Sequence, residues 1–241
     1  MVNPKAFDED PLRILRAFSL SAVFGFKIDK TTLVLAKAKA KYLSGVSFER
    51  IRDELFKILH QKNSFEYFLQ LDKLKILKLI FPEIQIMRGV GQGPYHHLDV
   101  WQHTLIMLEL LSYEKESNFN PTLAWAALLH DAGKADTKTE DAKGVHFYGH
   151  VKRGEELAYN IMKRLRFSRI QREIIKELIH YHMVFMNVKK MGPGRLKRFL
   201  RMPHFDLHLE LHRLDCLASH GILDNYEFCL QHLKKLAIED L

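Results

Sequence analysis

"LAWAALLHDAGKADT" occupies residues 123–137. Leu123, Ala124, Ala127 and Leu128 recur at helical spacing and predict a helix over about 121–132. That apolar helix ends in adjacent His130 and Asp131, followed by Gly133 and Lys134. Neighbouring helix positions point about 100° apart, so an imidazole and a carboxylate side by side reach a common point only near their bisector. A metal ion is such a point, and mixed nitrogen and oxygen ligands suit Zn, Mn, Fe, Ni or Co. For the dipeptide alone the plain alternative is a solvated, idle pair at a helix end.

Two other helices carry residues of the same chemistry. His103 lies in "DVWQHTLIMLELL" (99–111), on or beside the apolar face that Leu105, Ile106 and Met107 mark. Asp215 lies between Leu214 and Leu217 in "ELHRLDCLASHG" (210–221), where a carboxylate is costly to bury without a partner. His208, His212, Asp215 and Ser219 follow i, i+4, i+7, i+11 and share one stripe, which is a polar site or a solvated face.

Working outward, helical periodicity dominates. Residues 11–24 read as a helix with Pro11 in its first turn, acidic Asp8, Glu9 and Asp10 before it and Gly25 ending it. A Thr-capped helix follows in "IDKTTLVLAKAKAKYL", and a Ser47-capped one in "SGVSFERIRDELFKILH". "SFEYFLQLDKLKILKLIFPEI" continues the pattern until Pro82 stops it. "RGVGQGPYHH" (88–97) is a loop or linker. Further helices are expected at about 99–113, 151–166, 168–182, 193–202, 206–220 and 224–238. The polar, glycine-punctuated segment 133–150 reads as loop, and no run alternates long enough to read as a strand. The expected fold is all-α, in two helical domains, 1–88 and 89–241.

The chain holds 37 Lys and Arg against 29 Asp and Glu, a net charge of +8. That balance suits a polyanionic partner such as RNA or a phosphorylated substrate. Two cysteines, Cys216 and Cys229, form no disulfide framework, the acidic opening residues do not read as a signal peptide, and no apolar run reaches bilayer length. A cytoplasmic protein without membrane contact is expected. Histidine is abundant at 14, and six (His96, His97, His103, His130, His146, His150) fall within 55 residues.

The order His103, His130-Asp131, Asp215, all on helices, resembles the HD superfamily of metal-dependent phosphohydrolases. "HDAGK", "HFYGH" and "HYHM" strengthen the resemblance. It implies that the second domain is an HD-type helical bundle and that these four residues bind one divalent metal (Mn, Fe, Ni, Co, Zn or Mg). His150 and His182 match by position the places that hold a second ion. His180 and His182, two apart, face opposite ways, and His182 is the inward one expected. His146 has no counterpart and reads as a loop residue. A metal lowers the pKa of bound water and polarises a phosphoryl oxygen. Asp131 and Lys134 are the expected catalytic pair, Lys134 neutralising phosphate charge. The segment "KKMGPGRLKRFLR" (189–201), with six basic residues and no acid, lines a phosphate or RNA path or is a solvated basic face.

The opening has a resemblance of its own. "EDPLRILRA" (9–17) and "SFERIRDEL" (47–55) look like successive neck motifs of bacterial-type tRNA nucleotidyltransferases and poly(A) polymerases. In that family the residues matching Glu9, Asp10 and Arg13 read the incoming base by hydrogen bonds. Helix-start acids and an intrahelical Arg pair are the plain reading of the same spacing. "GPYHHLDVWQHTL" resembles the junction at which that family passes into an HD domain. The family's polymerising head needs a glycine pair and two strand-borne carboxylates. This chain has no Gly-Gly, and its one D-x-D is Asp8–Asp10 within the neck motif. The resemblance therefore implies a phosphohydrolase acting on nucleotide or tRNA-like RNA phosphate that does not add nucleotides alone. The alternative is the neck-and-body RNA-binding subunit of a split nucleotidyltransferase, with a separate head as partner.

Overall fold

The computed structural model describes residues 5–61, 63–93, 98–113 and 120–239. His96 and His97 lie outside them. Among the described residues the fold is all-α apart from one small hairpin. The helices of the amino-terminal part are α1 (Ala6–Glu9), α2 (Arg13–Phe24), α3 (Lys30–Lys39), α4 (Phe48–Leu59), α5 (Ser64–Lys73), α6 (Leu77–Ile80) and α7 (Pro82–Gln85). Those that follow are α8 (Val100–Tyr113), α9 (Pro121–Leu129), α10 (Lys134–Thr137), α11 (His150–Arg164), α12 (Arg169–Tyr181), α13 (Pro193–Leu200), α14 (Phe205–Ala218) and α15 (Asp224–Glu239). A 3-10 segment, His182–Lys190, links α12 to α13.

Several local expectations are corrected. The helix expected over 11–24 is α2, and the short α1 ahead of it was not expected; Pro11, which lacks an amide, separates the two. Gly25 does close α2, in the left-handed region at φ 71°, its amide bonded to Ser21 O. Asp29, not a threonine, caps α3 by accepting from the Thr32 amide at 3.0 Å. Ser47 sits at the N-cap of α4 but its side chain makes no capping bond. The helix expected from 64 to 81 breaks at Lys75, which is left-handed (φ 62°); α6 ends at Ile80 ahead of Pro82, as expected, and Pro82 also opens α7. The segment 133–150 is not all loop: it holds α10 and strands β1 (Thr139–Asp141) and β2 (Gly144–His146), antiparallel with Thr139 opposite His146. Strands of three residues are too short to show alternation. The turn is set by Asp141 Oδ1 accepting from Lys143 N (2.7 Å) and by Gly144 at φ 119°.

The centre of the molecule is α9, whose residues Leu123–Leu129 are all buried, as expected of a helix apolar on every side. Trp125 contacts Phe56 (5.7 Å between ring centroids), Phe81 (5.8 Å) and Phe167 (5.0 Å). One apolar core thus runs from Phe7 to Ala218, across the glycine-rich stretch near residue 90. A second cluster joins Phe185, Val188, Leu196, Phe199, Leu200, Phe205, Leu209 and Cys229. Because Leu196, Phe199 and Leu200 face that cluster, the basic residues of α13 are turned outward. Among the described residues no helix is long and apolar enough to cross a membrane.

Candidate metal centre

The carboxyl end of α9 delivers His130 and Asp131 into the interior, both 1 % exposed. Gly133 makes this possible. A Cβ there would stand 2.1 Å from His150 O and 2.5 Å from Gly154 N, so the turn after Asp131 lies directly on the first turns of α11. That contact brings His150 beside Asp131. His182 enters from the end of α12, His103 from α8 and Asp215 from α14.

Six side chains converge in two groups. The ligand atoms of His103, His130 and Asp215 lie within 4.8 Å of one another, as do those of Asp131, His150 and His182. His103 Nε2 is 3.0 Å from Asp215 Oδ1, and His130 Nε2 is 3.9 Å from the same oxygen. Asp131 links the groups: Oδ2 is 3.2 Å from His130 Nε2, while Oδ1 is 3.8 Å from His182 Nε2 and 3.9 Å from His150 Nε2. Two donors held about 2.1 Å from one ion are at most about 4.2 Å apart, and each of these pairs meets that bound.

The imidazoles are oriented from behind. The Nδ1 atoms of His130, His150 and His182 face backbone carbonyls of Ala127 (3.0 Å), Phe147 (2.8 Å) and Ile179 (2.6 Å). His103 Nδ1 faces Ala218 O at 3.4 Å. With Nδ1–H donating, the neutral rings of His150 and His182 turn the lone pair of Nε2 inward, the arrangement of metal-ligating histidines. Nε2 of His130, His150 and His182 and Oδ1 of Asp131 are buried without an aligned hydrogen-bond partner. Orphaned acceptors of this kind are costly unless something supplies positive charge. The donor set therefore fits a divalent cation.

Electrostatics point the same way. Burial, reinforced by the neighbouring His130, pushes His182 down to about 4, and burial also lowers His150, so both rings are neutral. Burial opposes the charge on Asp131, but His130 and Lys134 outweigh it and hold the carboxyl well below its usual range. Asp215, about a quarter exposed, is likewise held low against its burial by the hydrogen bond from His103 and the charge of His130. Burial works against protonation of His130, and Asp131 and Asp215 more than offset it and raise it.

Lys134 stands at the edge of the centre, donating to Asp131 Oδ2 (2.7 Å) and to Gln92 Oε1 (2.6 Å). Gln92 was not foreseen, since its glycine-rich surroundings read as linker. In the sequence Gly133 is only a neighbour of the motif. The remaining stripe residues do not join: His208 packs on the Tyr181 ring (5.7 Å) and His212 stacks on Phe185 (4.5 Å, 8°). His180 points outward to Glu155 (2.8 Å). His146 is on β2, not in a loop.

Glu9, Asp10 and Arg13 are a separate group. Arg13 Nη1 donates to Glu9 Oε2 (3.0 Å) and to Ala6 O (3.3 Å). Asp10 accepts from the Leu12 amide (3.2 Å) and from Arg50 Nη2 (3.0 Å), tying the first neck motif to the second.

An all-helical unit with a His/Asp centre, preceded by a helical neck, is the class that fold and site define. The sequence matches the family profile of the HD domain over residues 96–216, and the one described as "Probable RNA and SrmB- binding site of polymerase A" over 25–87. The chain belongs to the HD-domain family and is related to the tRNA nucleotidyltransferases. It is 33% identical over 203 residues to the multifunctional CCA protein of Nitrosococcus oceani, covering 83% of this chain and 48% of that protein. It is 34% identical over 192 residues to the A-adding tRNA nucleotidyltransferase of Deinococcus radiodurans, covering 76% and 44%. The chain thus spans about half the length of the curated relatives it matches. Two solved structures share the fold. A CCA-adding enzyme with CTP has a TM-score of 0.59 at 19% identity, covering 98% of this chain and 49% of that one. The Thermotoga maritima CCA-adding enzyme complexed with tRNA has a TM-score of 0.55 at 17% identity, covering 95% and 48%.

Proposed function

We propose that this chain is a metal-dependent phosphohydrolase acting on a phosphomonoester or phosphodiester of a nucleotide or RNA, a 2′,3′-cyclic phosphate at an RNA end included. The observation that carries the reading is the pair of three-residue groups whose buried imidazole and carboxylate atoms face one another. His103, His130 and Asp215 would hold one ion and Asp131, His150 and His182 a second, with Asp131 reaching both. A divalent ion, when bound, supplies Lewis acidity toward a phosphoryl oxygen and lowers the pKa of water. Lys134, fixed by Asp131 and Gln92, holds a positive charge where a phosphate would enter. The +8 charge and the kinship with tRNA-processing enzymes support RNA as partner. Two free, buried thiols, Cys216 and Cys229, fit a reducing, cytoplasmic setting. The test is hydrolysis of a generic phosphodiester by the purified chain with added Mn, Ni, Co, Zn or Mg. Turnover that vanishes on chelation supports the reading, and none with any ion rejects it.

A second reading has its own observation, the coverage of only about half of each relative. On it the chain is the neck-and-body part of a nucleotidyltransferase, with Glu9, Asp10 and Arg13 contacting the incoming nucleotide beside a head supplied in trans. Addition of labelled nucleotide to tRNA only when a head-bearing protein is present would favour it.

A further inference from the structure

Beside the metal centre lies an open cavity of about 730 Å³, within the range of small-ligand clefts. Lys134 and His150 form its inner edge, and Val145, Phe147 and Tyr148 line its wall. Tyr148 is the anomaly: a tyrosine ring 77 % exposed at the mouth of a cleft. It is held in place. Its ring is stacked on His146, centroids 5.2 Å apart and planes 14° from parallel. His146 Nε2 donates to Asp141 Oδ1 (3.0 Å) on the opposite strand, and the same oxygen accepts from Lys143 N. The small hairpin therefore fixes a flat aromatic face whose outer side is open. Phe147 turns the other way, with Lys134 Nζ 5.5 Å from its ring centre. The wall thus places an ammonium at the inner end and an aromatic plane at the outer end. Lys152 adds charge to the rim, while its acidic neighbour Glu155 is occupied by His180.

We infer that Tyr148, backed by His146 and Asp141, is a stacking platform for the nucleobase of the substrate, whose phosphate lies at Lys134. This inference rests on the phosphohydrolase reading and adds to it the residue that holds the base, so that affinity depends on the nucleobase as well as on the phosphate. A ring face is read by any base, so purines and pyrimidines are both accepted. An alkyl or sugar phosphate without a base loses the contact.

Equilibrium dialysis with the full chain tests this without turnover. The probes are a non-hydrolysable adenosine methylenephosphonate, its cytidine analogue and the base-free ribose counterpart. Tyr148→Ala should weaken both nucleoside probes about tenfold, and Tyr148→Phe should stay within about twofold of the wild type. The ribose probe should bind both variants as it binds the wild type. Circular dichroism checks the fold, which an exposed ring should not disturb. Equal losses on base-bearing and base-free probes, no loss on either nucleoside, or no binding of any probe to the wild type overturns the platform. Base-dependent binding in a chain that hydrolyses nothing would sink the hydrolase reading alone; hydrolysis indifferent to the base would sink the platform alone.

Discussion

Replacing Gly133 with alanine adds one carbon at the tightest packing point near the proposed centre. That Cβ would meet His150 O at 2.1 Å, Gly154 N at 2.5 Å and Arg153 C at 3.1 Å. A carbon and a carbonyl oxygen settle at roughly 3.3–3.6 Å, so α11 would have to retreat by more than about 1 Å. All three obstacles are backbone, so no side-chain rotation relieves them. Overpacking of this kind costs about 1–3 kcal/mol, and a backbone clash belongs at the upper end. At about 2–4 °C per kcal/mol for a chain of this size, the melting temperature should fall by about 5–10 °C. The retreat also carries His150 away from Asp131 by more than the roughly 0.5 Å that a ligand site tolerates. Gly45→Ala is the control: a Cβ at Gly45 meets nothing within 4 Å, and the change should stay within about 0.5 kcal/mol. The assay is thermal unfolding by circular dichroism with metal content of the purified variants. If Gly133→Ala melts and binds metal like Gly45→Ala, the packing argument for the site is wrong.

His182→Ala should lower metal content and hydrolysis by at least about tenfold, as loss of a ligand does, whereas His180→Ala, on the outer side of the helix, should leave metal content unchanged. The opposite ranking would reverse the assignment. With metal chelated, stability should fall between pH 6.5 and 4. Burial, aided by His204 for His208, pushes His208 and His212 down to about 4, so the unfolded chain takes up their protons first. The contribution is fully present above pH 6.5 and is lost as pH falls toward 4, up to about 3 kcal/mol for each ring. Urea midpoints measured at pH 7 and pH 5 check it, and equal midpoints would contradict it. The 241-residue chain alone should incorporate no labelled CTP or ATP into tRNA, because it has no glycine pair and its one D-x-D, Asp8–Asp10, lies at the end of α1 and not along a strand; robust addition would refute that.

Much of this was legible before any coordinates, for a physical reason. His103, His130, Asp131 and Asp215 sit on strongly periodic helices, and a polar residue placed among buried leucines has to face something. The opposite directions of His180 and His182 follow from helical geometry, and the structure turns His182 inward. What the sequence hid is of two kinds, short backbone features and contacts between distant positions. The hairpin at 139–146 has three residues per strand, so no alternation could accumulate, and the aromatic wall that it carries went unseen with it. The break at Lys75 is a backbone event that apolar periodicity passes over. Gln92 gave no signal, because its role depends on a lysine 42 positions away. The closeness of Gly133 to α11 is a tertiary fact that one glycine cannot announce.

The most direct test of the central claim is metal stoichiometry with coupled turnover. The purified chain and Asp131→Ala would be loaded with Mn or Ni, desalted, analysed for bound metal and assayed on a phosphodiester. The account predicts one or two ions per wild-type chain with metal-dependent hydrolysis, and loss of both in Asp131→Ala at unchanged helical content. A folded wild-type chain that retains no divalent metal, or an Asp131→Ala variant that binds and hydrolyses as the wild type does, would contradict it.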